Sequence, residues 1–333
     1  MLCRMAKMMA GPKMGEDTFQ DVLSFSKYRT SNGGLFQGLF EEIIADPRFK
    51  SIEGKVQLIF TSPPFPLNNK KRYDNKQGEE YVEWIASYAP LFKRLLTETG
   101  SLVIELGNAW VPGKPVMSTL ALEALLRLKK EGDFFLCQQL VINNPARLPS
   151  PAQWVTVNRI RLTESFNHVW WMSSTEYPKA DNRRVLKEYS AAMKRLLKTK
   201  QYNSGDRPSE HVIGKTSFLK DHGGAIQQGV LTIEDEECTP STLLNLSNTA
   251  STDGYLRYCK ENDIELHPAR MPIGAPKFFI EFLTDPGDIV LDPFAGSNTT
   301  GAAAEMLDRR WLSFEPMDAY VRGSMGRFST LID

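Results

Sequence analysis

Residues 56–65 read Val-Gln-Leu-Ile-Phe-Thr-Ser-Pro-Pro-Phe. The first half, Val56 to Phe60, is short, β-branched and aromatic, and predicts a buried strand of a parallel sheet. Pro63 and Pro64 lack N–H donors and fix φ, so the chain must leave the sheet there as a stiff, extended loop. In open α/β sheets, ligands bind just beyond the carboxyl ends of the strands. Thr61-Ser62-Pro63-Pro64-Phe65 would then display a hydroxyl, carbonyls of fixed direction and an aromatic ring at such a place. By itself the pentapeptide fits equally well a tight strand exit with its Phe tucked into the core.

A distant segment bears on that choice. Ile289-Val290-Leu291 is another short strand, followed by Asp292-Pro293-Phe294-Ala295-Gly296-Ser297-Asn298-Thr299-Thr300-Gly301 and the helix-prone Ala302 to Glu305. A strand, a Gly-containing turn and a helix start let backbone approach a nucleotide-like ligand closely. The segment lacks Gly-x-Gly-x-x-Gly and the Lys of a P-loop, so neither a dinucleotide nor a nucleoside triphosphate is indicated. Trp311 to Phe314 is one more strand, with Glu315 at its carboxyl end. An acidic residue about twenty positions after such a turn suits two ribose hydroxyls; the alternative is a plain surface Glu.

Together these segments resemble the amino-group DNA methyltransferases. In that family Asp-Pro-Phe-x-Gly belongs to the S-adenosylmethionine loop and Ser-Pro-Pro-Phe is the catalytic tetrapeptide. Here the catalytic segment comes first, the permuted order of the β group, and the chain is most similar to its PvuII-type, cytosine-N4 branch. Further matches are Leu148-Pro149-Ser150-Pro151, Val169-Trp170-Trp171, Arg207-Pro208-Ser209, Gly223-Gly224 and His267-Pro268-Ala269-Arg270. The resemblance implies an α/β, Rossmann-like methyltransferase fold with a mostly parallel seven-stranded sheet and a smaller target-recognition module. It implies Ser62, Pro63, Pro64 and Phe65 as catalytic residues. Asp292, Phe294, Gly296, Ser297, Asn298, Thr299 and Glu315, with His267 and Pro272, would bind S-adenosylmethionine.

A Ser at the head of the tetrapeptide goes mostly with cytosine N4, and Asp or Asn with adenine N6. Adenine-N6 methylation, methylation of RNA and a catalytically weak DNA-binding protein are the competing readings. No cysteine follows a proline, so cytosine-C5 chemistry is not indicated. One departure stands out: the PvuII-type pattern carries Gly-Asp before an early helix, whereas Gly38 is followed here by Leu39. A carboxylate is thereby removed near the cofactor or DNA.

The chain of 333 residues carries 40 Lys and Arg against 40 Asp and Glu, so any DNA-binding face must come from local segregation. That occurs between Lys179 and Lys220, with eleven basic and four acidic residues. Arg183, Arg184, Arg207, Ser209, His211 and Lys215 are the expected DNA contacts there, together with Lys70, Lys71 and Arg72 in a polar loop from Asn68 to Gly78. A solvated surface accounts for some of these charges. The acidic run Glu234 to Glu237, within an insertion at 229–242, would face away from DNA.

Four scattered cysteines, Cys3, Cys137, Cys238 and Cys259, argue against a disulfide framework or zinc site and for an intracellular compartment. No metal is expected: His211 and His222 lack ligand-spaced neighbours. No apolar run is long enough for a membrane, and the methionine-rich start reads as a frayed tail over about residues 1–18. The expected division is a catalytic part over 1–178, a recognition region over 179–262 and a cofactor part over 263–333. Double-stranded DNA is the expected partner of a monomer or homodimer. A cognate restriction endonuclease would share the site without a stable complex.

Local patterns complete the reading. They predict a turn at Thr30 to Gly34 and helices from Phe40 to Ala45, from Tyr81 to Leu96 with a kink at Pro90, and from Val116 to Lys130. Strands are expected at Ser101 to Leu106, Phe134 to Ile142 and Phe166 to Met172, and a helix from Lys277 to Leu283. Gly100 should end the helix that begins at Tyr81. Trp170 and Trp171 should point to opposite faces.

Overall fold

The computed structural model describes residues 15–65, 76–202, 204–206, 208–210, 212–214, 216–232 and 254–328. Lys70, Lys71, Arg72, Arg207, His211 and Lys215, the start of the chain and most of the acidic insertion lie outside these residues.

In chain order the first elements are α1 (Glu16–Leu23), β1 (Tyr28–Arg29), β2 (Gly33–Gln37), α2 (Phe40–Ile43) and β3 (Val56–Thr61). Next come α3 (Gly78–Ser87), α4 (Ala89–Leu95), β4 (Leu96–Leu106), α5 (Leu120–Glu131), β5 (Phe135–Asn143) and β6 (Phe166–Ser173). The stretch 179–262 holds α6 (Ala191–Thr199), β7 (Gly205–Asp206), β8 (Val212–Ile213), β9 (Val230–Thr232) and α7 (Gly254–Glu261). The chain closes with α8 (Gly274–Leu283), β10 (Ile289–Asp292), α9 (Thr299–Met306), β11 (Arg310–Glu315) and α10 (Asp318–Ser324).

Among the described residues, nine strands form one sheet in the order β1-β2-β11-β10-β3-β4-β6-β5-β9. β1 and β6 run against their neighbours, and the other pairings are parallel. The sheet is mostly parallel as expected, but wider than seven strands. The edge strands β1 and β9 span 2 and 3 residues, too short to leave a periodic signal. β9 and α7 lie within the stretch 179–262, expected to form a separate recognition region, yet β9 pairs with β5 and α7 buries Tyr255 and Cys259 against Gly323.

Two cores flank the sheet. Ile59, Ile104, Trp170 and Leu312 face one side, under α1 to α5. Leu58, Phe60, Val103, Trp171 and Trp311 face the other, under α8 and α9. The two tryptophans of β6 thus split between the faces, as the period of two requires. β3 and β10 are neighbours, but the chain leaves β3 toward β4 and leaves β10 toward β11, over opposite faces. That divergence opens a crevice at their carboxyl ends.

Three local expectations are corrected. The segment from Tyr81 is two helices broken at Tyr88, with Pro90 in the first turn of α4, where its missing N–H is not needed. Gly100 lies inside β4, which starts at Leu96 and bulges, so that Val56 opposes Leu96 while Leu58 opposes Ser101. The Thr30 turn ends early: Gly33 opens β2, and a Cβ there would lie 2.3 Å from the Trp311 carbonyl oxygen.

Candidate active site

At the carboxyl end of β3 the chain runs out through Ser62, Pro63, Pro64 and Phe65 into the wall of a cleft of about 650 Å³. The turn after β10 forms the opposite wall through Asp292, Phe294, Gly296, Ser297 and Thr299, and Glu315 stands at the end of β11. His267 and Pro272 close the rim. Two stretches far apart in the chain thus share one crevice, because β3 and β10 are hydrogen-bonded neighbours.

Asp292 braces that seam. Its buried carboxylate accepts from Thr61 Oγ1 at 2.8 Å, from Thr300 Oγ1 at 2.6 Å and from the Phe294 N–H at 3.1 Å. Burial outweighs these donors and pushes the carboxyl up to about 6. Asn298, unlike its neighbours, does not line the cleft. It sits at φ 54° as the cap of α9, accepting from Gly301 N–H at 3.1 Å and Ser313 Oγ at 2.7 Å while donating to Tyr28 Oη at 3.0 Å. Arg327 holds the turn from behind through the Ser297 carbonyl.

Glu315 is only 6 % exposed, and its two carboxylate oxygens accept from the Gly296 and Met317 N–H groups at 2.9 Å each. Desolvation pushes its carboxyl up to about 7. Each oxygen keeps lone-pair capacity toward the cleft. Gly296 has φ 52°, and a Cβ on it would fall 2.9 Å from the His267 ring, which itself packs edge-on against Tyr320. Phe294 is walled by Trp84 and Tyr88. A bare-backbone turn, a buried carboxylate and an aromatic wall fit the adenosine part of S-adenosylmethionine. Leu39 lines the rim, 44 % exposed, and Glu41 two residues on faces the cleft and bonds the Tyr88 hydroxyl.

The other end of the cleft contains residues that sequence patterns did not single out. The Ser62 hydroxyl hydrogen-bonds the buried Glu105 carboxylate near the end of β4. Glu105 also accepts from Asn167 Nδ2 at 2.7 Å, and Asn167 Oδ1 accepts from Arg147 Nη2 at 2.7 Å. Burial raises the Glu105 carboxyl, opposed by Asn167, Ser62 and the Arg147 charge. Gly107 leaves room for Phe65, whose ring would lie 2.6 Å from a Cβ at that position. A buried Glu in an otherwise apolar strand, Ser101 to Leu106, was the available signal for Glu105. Nothing local marked Asn167 or Arg147.

Two expected DNA contacts lie elsewhere. Arg183 and Arg184 pair with Asp181, and Arg184 also binds Asp285 and the Thr284 carbonyl. Lys179 bridges Asp285 and Asp288. These partners precede β10, so the cluster sits at the amino end of the sheet, opposite the cleft. Ser209 lies in the exposed turn between β7 and β8. Among the described residues no group of three or more His, Cys, Asp or Glu could hold a metal, and no helix is long and apolar enough to cross a membrane.

Comparison with known proteins gives the same picture. A family model described as DNA methylase matches residues 56–325. The Type II methyltransferase M.PvuII of Proteus hauseri is 42 % identical over 313 residues, covering 92 % of this chain and 88 % of the relative. M.HindIII of Haemophilus influenzae is 24 % identical, covering 75 % and 70 %. Among solved structures, PvuII DNA methyltransferase (cytosine-N4-specific) superposes with a TM-score of 0.67 at 36 % identity, over 90 % of this chain and 87 % of that one.

Proposed function

Because the chain belongs to the DNA methylase family, we propose that it transfers a methyl group from S-adenosylmethionine to the exocyclic N4 of cytosine at specific sites in duplex DNA. The observation that carries this reading is the single cleft in which Ser62 to Phe65 faces the Asp292 to Thr299 turn and Glu315. Overall likeness to a cytosine-N4-specific enzyme supports the base assignment.

When bound, S-adenosylmethionine supplies an electrophilic methyl group on a sulfonium that leaves without acid catalysis. Glu315 would accept the ribose hydroxyls, while Gly296 and Phe294 would shape the adenosine seat. The work left to the chain is to orient the acceptor nitrogen and keep the site dry. That nitrogen has its lone pair conjugated into the ring. Ser62 Oγ donates its proton to Glu105, so its oxygen lone pairs are free to accept one amino N–H. The Pro63 carbonyl accepts the other, and together they draw the nitrogen toward tetrahedral geometry. The proton shed after transfer has a path through Ser62 to Glu105. Phe65 stacks on the base, offsetting about 1–3 kcal/mol of the few kcal/mol that flipping costs.

The region 179–262, less β9 and α7, serves as the target-recognition module, and the flanking parts form one methyltransferase domain. Its DNA-facing charge lies on α6 and beyond, since Lys179, Arg183 and Arg184 are neutralised at the far end of the sheet. A monomer suffices for the chemistry, and a restriction endonuclease reading the same site would act separately.

The test is to incubate the protein with labelled S-adenosylmethionine and mixed unmodified duplex DNA, then identify the methylated nucleoside by mass spectrometry. N4-methylcytosine is the expected product. Ser62→Ala should lower its yield by about 100-fold or more, as expected for a lost transition-state hydrogen bond, and leave DNA binding intact. N6-methyladenine as the product would overturn the base assignment.

A further inference from the structure

Arg147 ends the hydrogen-bonded chain that starts at Ser62. From Ser62 the chain passes through Glu105 and Asn167 to the guanidinium. Arg147 is half-buried and lines the cleft beside Asn144, Asn167 and Ile142, on the side away from Glu315. Its Nη1 donates to the Phe166 carbonyl at 3.3 Å and its Nη2 to Asn167 Oδ1 at 2.7 Å. A guanidinium has five N–H donors in a rigid fork, so donors remain beyond those two bonds.

We propose that Arg147 reads the flipped target base, donating to the N3 and O2 acceptors of cytosine while Ser62 and Pro63 hold its amino group. This assignment rests on the cytosine-N4 reading. The three functional groups of a cytosine edge run amino, ring nitrogen, oxo. The wall of the cleft presents acceptors at Ser62 and Pro63, and a cationic donor fork, joined to Ser62 through Glu105 and Asn167, lines the same cleft. Donors opposite adjacent acceptors give base discrimination, because adenine offers a C–H where cytosine offers O2. The anchoring matters as much as the charge: held by Phe166 and Asn167, the fork loses little freedom when the base arrives.

The experiment needs the target site, mapped from the wild-type methylation product. Two duplexes are then compared, one with cytosine at the target and one with a 2-aminopyridine C-nucleoside, which keeps the amino group and adjacent ring nitrogen but lacks the oxo group. Binding is measured by fluorescence polarisation with S-adenosylhomocysteine present, and kcat and KM by methyl incorporation. Wild type should lose about 10- to 100-fold in affinity and kcat/KM on the analogue, the range for a hydrogen bond to a charged group. Arg147→Ala should lose about as much on cytosine and be indifferent to the oxo group, whereas Arg147→Lys should recover part of the loss. S-adenosylmethionine affinity should stay unchanged in both variants, which separates the effect from misfolding.

An Arg147→Ala protein that still discriminates the two duplexes as wild type does would overturn the assignment. So would equal losses on both duplexes with a shallower salt dependence, the signature of a phosphate contact. Those outcomes leave cytosine-N4 methylation by the wild type standing. A wild type that makes N6-methyladenine would remove the premise and the assignment together.

Discussion

Glu315 carries two demands at once. It is buried, which raises its carboxyl from 4.5 to about 7, and the role proposed for it, accepting hydrogen bonds from ribose hydroxyls, calls for the ionised form. A folded-state value above the unfolded one means that the native protein holds the extra proton between those limits. The associated stabilisation is therefore complete below about 4.5 and is lost as pH rises through about 7, a change of roughly 3 kcal/mol. Asp292, raised to about 6, acts in the same direction. In urea titrations the ligand-free protein should be less stable at pH 8 than at pH 5, and Glu315→Gln should flatten that slope. S-adenosylmethionine affinity should run the opposite way, weakening as pH falls below about 7 in the wild type and not in the variant. Calorimetric titration at pH 6 and pH 8 measures both.

At the level of elements, the sheet is set by close approaches that local propensity does not report. β2 can pair with β11 because Gly33 lets its backbone lie against Trp311. Gly33→Ala should cost about 1–3 kcal/mol, the range for overpacking a filled core. Urea unfolding should show it as a lowered midpoint at unchanged slope. Alternation and apolar runs were enough to place β3, β6, β10 and β11, which are largely buried, and β5, whose second half is. They were not enough for β1 and β9, which are too short. They also misplaced the start of β4, because its first residues form a bulge and carry no alternation. Pro90 was legible as a break, but whether it kinks one helix or begins another depends on how α3 and α4 seat against the sheet.

Across the whole molecule, charge is segregated by tertiary pairing rather than by sequence neighbourhood. Asp285 and Asp288, remote in the chain, neutralise Lys179 and Arg184, so the basic stretch of 179–220 is smaller in space than in sequence. Arg195 and Lys198 of α6 remain exposed. Replacing both with Ala should weaken DNA binding across sequences and reduce the slope of log affinity against log salt by up to about 0.9 per charge. Polarisation titrations over a salt series would check this, and an unchanged slope would take α6 off the DNA. The sequence by itself determined the local shape of two loops, since a Pro-Pro exit and a Gly turn act through their own backbones and leave the strands in only one way. Glu315 was legible for the same reason, standing at a strand end a fixed distance after the turn. Only the tertiary structure decided that β3 and β10 lie side by side, that Asp292 bolts them together, and that Glu105, Asn167 and Arg147 continue the line from Ser62. A side chain in an ordinary strand or loop position takes its role from neighbours that the fold, and not the chain, brings within hydrogen-bonding distance.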